Sequence, residues 1–206
     1  IIHYGGSIAI VALIAVAVYS LIHSQMMFKK RKQKEKILDT VKQIMQSEDN
    51  EEVLTLLRQH TREELTKVLS FTQENYERTV TSFLHENLRG LRRSMGSVKF
   101  EKQLIKQMKR TGTLAMSRLD NKTVLDKGLY YFQGNDFASE LVYSIGRLCE
   151  PCLEHIDNNF KPLDAIQKGE FGDVSEDITS LLQTSRQTVE DNNYEHLGDI
   201  VRKAND

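Results

Sequence analysis

"TREELTKVLSFTQENYERTVTSFLHENLRGLRRS", residues 61–94, decides the fold class. Leu65, Val68, Leu69, Tyr76, Val80, Phe83, Leu84 and Leu91 recur at intervals of three, four and seven residues, which lines one face of a helix and gives a strand no usable alternation. Thr61 and Glu64 have the spacing of a capping box, in which hydroxyl and carboxylate each take an orphan amide of a first turn. The pattern predicts a long helix from Thr61 to about Ser94, ended at Gly96.

Toward the C-terminus, Ser97 is expected to start the next helix, with Leu104, Ile105, Met108, Ala115 and Leu119 inward. "DNKT" (120–123) and "QGND" (133–136) read as turns or kinks. Around them Leu129, Phe132, Phe137, Leu141, Ile145, Leu148, Cys152 and Ile156 continue an apolar helical stripe, up to a loop at "NNFKPLD". A break is expected at Gly169 to Gly172, then helices carrying Ile178, Leu181, Leu182 and Val189, and finally Leu197, Ile200 and Val201.

Toward the N-terminus, Val53, Leu54, Leu56 and Leu57 predict a short helix, and "SEDNEE" separates it from another carrying Ile37, Leu38, Val41, Ile44 and Met45. No window alternates with a period of two between turn signals. With only two prolines, the expectation is an all-α fold: residues 37–206 as one domain, a bundle of long antiparallel helices.

Residues 1–28 contain no Asp, Glu, Lys or Arg, and Ile8 to Val18 is wholly aliphatic. A helix needs about 20 apolar residues to cross the hydrocarbon core, so this run predicts a transmembrane helix. Its charges follow the apolar run instead of preceding it, unlike a signal peptide. A core helix apolar on every face would need a larger protein around it. Lys29, Lys30, Arg31, Lys32, Lys34 and Lys36 form a basic juxtamembrane segment, 29–36, expected to touch anionic lipid and to keep residues 29–206 in the cytoplasm. The chain lacks an initiator Met and stops soon after a helical pattern begins, so both ends are expected to be cut.

The net charge of −1 hides alternating blocks: +5 over 29–36, −5 over 37–88, +8 over 89–118 and −9 over 119–206. A basic block between acidic ones points to helices packing with complementary charge; no nucleic-acid motif accompanies it, and no nucleic-acid partner is expected. Arg89, Arg92, Arg93, Lys106, Lys109 and Arg110 would otherwise suit phosphate or a lipid head group. Two cysteines, in a compartment expected to be cytoplasmic, argue against a disulfide framework. Cys149, Cys152 and His155 sweep about 120° of a helix and are candidates for metal or redox work, although a structural zinc wants a fourth ligand. Carboxylates spaced i, i+4 share a helix face at Asp136/Glu140, Glu150/Glu154, Asp173/Asp177 and Glu195/Asp199, where a hard cation is one reading and a solvated face the other. No nucleophile elbow, phosphate loop or triad is present, so no catalytic residue is assigned and the chain is not expected to be an enzyme.

The stretches "HYGGSIAIVALIAVAVYSLIHS", "REELTKVLSFTQENYERTVTSFLHENLRGLRRS", "RLDNKTVLDKGLYYFQGNDFASEL" and "CLEHIDNNFKPLDAIQKGEFGDV" resemble the C-terminal part of bacterial inorganic phosphate transporters of the PiT type, in which a PhoU-like helical domain follows the last transmembrane helix. The resemblance implies a cation/phosphate symporter in the bacterial cytoplasmic membrane. It also implies that the phosphate and cation sites, and the partner transmembrane helices, lie upstream of Ile1. PhoU-like domains are pairs of three-helix bundles with E/D-x-x-x-D motifs that hold divalent or ferric ions. The matching positions here are Asp173/Asp177 and Glu195/Asp199, with no clean counterpart in the first half. Oligomeric state stays open, a homo-oligomer being one option. Two alternatives differ in class: a single-pass sensor or scaffold, and the PhoU-like tail of another Na/phosphate cotransporter family.

Overall fold

The computed structural model describes residue 39, residues 42–124 and residues 128–205. The transmembrane helix expected over 1–28 and the basic segment over 29–36, Lys29 to Lys36, lie outside the described residues. Among the described residues no helix is long and apolar enough to cross a membrane. The chain divides into two units, residues 1–46 and 47–206. In the first, residues 42–46 are helical, as the Ile44 and Met45 spacing predicts.

The second unit is all helical among its described residues: α1 (Asn50–Leu84), α2 (Leu88–Met116), a single turn at Asn121–Thr123, α3 (Leu129–Asp157), α4 (Ala165–Glu190) and α5 (Leu197–Asn205). Asp49 opens α1, its carboxylate accepting from the Glu51 amide at 2.9 Å. The start expected at Thr61 is absent, for α1 runs unbroken through 35 residues. Buried positions explain the continuity. Leu57, His60, Glu64 and Val68 keep three- and four-residue spacing across the junction, so polar side chains carry the inward face where the apolar pattern lapses.

The end expected at Gly96 is also displaced. The chain reverses at His85 to Asn87, where Glu86 adopts a left-handed conformation (φ 54°). The Asn87 amide donates to the Ser82 carbonyl at 2.7 Å, and its side chain accepts from the Gly90 amide at 3.1 Å to cap α2. Gly96 sits inside α2, "QGND" inside α3, and Gly169 to Gly172 inside α4. None of these stretches has both the capping side chain and the left-handed residue found at 85–87, and isolated helical glycine costs only about 1 kcal/mol, which packing outweighs.

Helices α1, α2 and α3 pack on one another, and α4 packs along α1. Pairings fix the directions: Arg92 with Asp157 (2.8 Å) and Lys109 with Asp136 (2.8 Å) make α2 and α3 antiparallel. Phe83 against Phe171 at the end of α1 and start of α4 does the same for that pair, and Lys168 lies 3.8 Å from Glu86. The complementary charge expected from the basic block is thus made in part by α2 against α3. The core is Val68, Tyr76, Val80, Val98, Ile105, Met108, Ala138, Val142 and Ile145.

On α3 the buried stripe matches the expected one at Ile145 and Cys152, with Leu141 and Leu148 packed against the core, and departs from it at Phe132 and Phe137. Tyr131, Asn135, Ala138, Ser139, Val142, Ile145, Cys149 and Cys152 face inward, whereas Phe132 and Phe137 are exposed, the latter by 67%. Small residues at 138, 139 and 146 let α3 approach closely, and the Tyr131 hydroxyl donates to the Leu54 carbonyl at 3.3 Å, fixing that rotation.

Candidate functional site

Cys149 and Cys152 point into the bundle. The Cys149 thiol lies 3.6 Å from the Leu91 carbonyl. Burial raises its pKa. Burial and then neighbouring Cys149 push Cys152 up to about 11. Both are therefore neutral thiols at physiological pH, the poor form for redox or metal chemistry. His155 is at the end of α3, its ring edge-on to Phe83 and Phe160 at 5.4 and 5.6 Å, with Nε2 3.0 Å from the Lys161 carbonyl. The three candidates do not converge.

Asp173 and Asp177 share the exposed side of α4, with Asp177 3.7 Å from Lys203 Nζ. Glu195 and Asp199 do not share a helix: Glu195 lies in the turn before α5, its amide donating to Asn193 Oδ1, because α5 begins only at Leu197. Asp199 is taken by Arg202 at 2.9 Å. Of the other spaced carboxylates, Asp136 pairs with Lys109 and Glu140 with Arg147. Among the described residues no three His, Cys, Asp or Glu side chains gather as a metal site.

Two groupings escape the sequence. Glu101 on α2 faces Glu64 on α1; partial burial and then the Glu64 charge push its pKa up to about 7, with Lys67 opposing. Lys67 Nζ is 2.5 Å from Glu64. The second grouping is a cleft of about 840 Å³ formed by α1, Tyr131 of α3, Val189 of α4 and the turn before α5; Arg58, Arg62, Leu65 and Tyr194 complete its principal walls. Asn192 (φ 53°) turns the chain out of α4, which brings Tyr194 to this cleft. The only sequence signal for it is two arginines four residues apart; the aromatic walls come from far along the chain.

Compared with known proteins, the chain matches no family model, no curated protein and no solved structure.

Proposed function

We infer that the chain is the last membrane span and cytoplasmic regulatory domain of a cation-coupled inorganic phosphate transporter in the bacterial cytoplasmic membrane. The observation that carries this reading is the order of segments: an uncharged run through Phe28, six basic residues within 29–36, then a bundle of long helices. The resemblance to PiT-type transporters with a PhoU-like tail supports it further. In this reading the lysine block holds the bundle at the inner leaflet, and phosphate and its coupling cation bind on helices upstream. The bundle biases the attached span between two states, the minimum that regulation at a distance requires.

Blotting membrane fractions with antibody raised to residues 47–206 tests the reading. A membrane band several times larger than this 206-residue chain is expected. A membrane band at the size of the chain itself would overturn the reading in favour of a single-pass protein, and a band confined to the soluble fraction would overturn the span.

A further inference from the structure

The cleft beside α1 invites a reading independent of transport. Arg58 and Arg62 stand one helical turn apart on the same side of α1, and among the described residues no Asp or Glu lines the cleft with them. Among the described residues neither guanidinium makes a salt bridge; neighbouring Glu63 is not in the lining and accepts from Gln59 Nε2 at 3.2 Å. Two positive charges therefore face a concave space without a counter-ion among the described residues, Arg58 lying against the Tyr131 hydroxyl. The other principal walls are Leu65, Val189 and the rings of Tyr131 and Tyr194, and Tyr131 is held in place by its bond to the Leu54 carbonyl. At about 840 Å³ the space falls in the range that encloses small organic ligands, and a bare inorganic anion would leave the aromatic walls in water.

We propose that this cleft binds a soluble organic phosphate with a planar ring, its phosphate on Arg58 and Arg62 and its ring against the exposed Tyr194, with Tyr131 closing the floor. A phosphate monoester carries about −1.5 to −2 charges near neutral pH, which matches two guanidiniums. Their planar forks pair with phosphate oxygens in a way an ammonium cannot, and tyrosine rings offer flat apolar surface to a ring system.

The test is a fluorescence titration of the full chain in mild detergent with trinitrophenyl-AMP, and with trinitrophenyl-adenosine as the same ring without phosphate. The phosphorylated probe should bind saturably and at least about tenfold more tightly, the value of one charge-assisted hydrogen bond. The double variant R58Q/R62Q should remove that difference, R58K/R62K should keep part of it, and Y194A should weaken both probes alike. Unlabelled AMP should displace the probe at concentrations where inorganic phosphate does not. Equal binding of the two probes, or an R58Q/R62Q variant that binds unchanged, overturns the proposal. Inorganic phosphate competing as well as AMP overturns its organic part. Circular dichroism checks that the variants stay helical, and the R58K/R62K pair preserves charge should R58Q/R62Q fail to fold.

Discussion

Glu101 shows how one side chain ties this bundle to pH. Unfolded, its carboxyl titrates near 4.5; in the fold it holds its proton to about pH 7. Between those values the unfolded chain has released a proton that the native chain keeps, so stability falls as pH rises. The contribution is complete below about pH 4.5 and is lost through pH 7. Glu101→Gln should therefore raise the unfolding free energy at pH 8 by on the order of 1 kcal/mol after solvent screening, and with it the thermal midpoint, and leave both unchanged near pH 4.5. Thermal unfolding of both proteins at the two pH values checks the sign. The thiols give a second expectation. Raising Cys152 from 9.0 to about 11 lowers its thiolate fraction roughly 100-fold. A disulfide reagent at pH 7.5 should leave both cysteines of the native chain unmodified over the time in which the denatured chain reacts fully, and rapid native modification would restore the redox reading.

At the scale of elements, two glycines of α2 separate packing from propensity. A Cβ at Gly90 would lie 2.2 Å from Ser82 Oγ and 3.0 Å from Ser82 Cβ, whereas one at Gly96 would meet nothing within 4 Å. Ser82 is buried and short, so it cannot swing aside. Gly90→Ala should destabilise by about 1–3 kcal/mol through overpacking, and Gly96→Ala should stabilise by up to about 1 kcal/mol through helix propensity; denaturant midpoints of the two variants are expected to move in opposite directions. At the head of α4, Asp164 and Gln167 form a reciprocal capping box. Asp164→Ala should cost about 1 kcal/mol in the same measurement.

These elements also mark what the sequence makes legible. Helical class follows from the spacing of Leu65, Val68, Tyr76 and Val80, and the loop at 158–164 from its Asn and Pro content. Boundaries fail where the inward face turns polar, as at His60 and Glu64, or where the true stop is a left-handed Glu86, a residue type with no such preference. The rotation of α3 depends on Tyr131 reaching Leu54, a contact 77 residues apart that no local pattern encodes. The cleft is hidden for the same reason. The carboxylate metal candidates rest on i, i+4 spacing and on the resemblance, and Glu195, which lies before α5 begins at Leu197, shows that spacing does not ensure a shared helix.

Across the whole molecule, stability is expected to reside in the apolar core and not in the alternating charge blocks. The pairs Arg92/Asp157 and Lys109/Asp136 are solvent-exposed, and such pairs contribute between nothing and about 1 kcal/mol. Raising salt from 0.1 to 0.5 M should therefore shift the unfolding free energy by less than about 1 kcal/mol, which denaturant titration at the two ionic strengths can read. The charge blocks then serve orientation, as the pairs between α2 and α3 illustrate.

The proposed function would have this bundle regulate phosphate movement through a membrane segment that precedes it. Uptake of radiolabelled inorganic phosphate should be compared between cells carrying the intact protein and cells in which residues 47–206 are deleted, at low and high external phosphate. A deletion that changes the uptake rate, or its response to external phosphate, is the result expected; uptake unchanged in both rate and regulation would contradict the account.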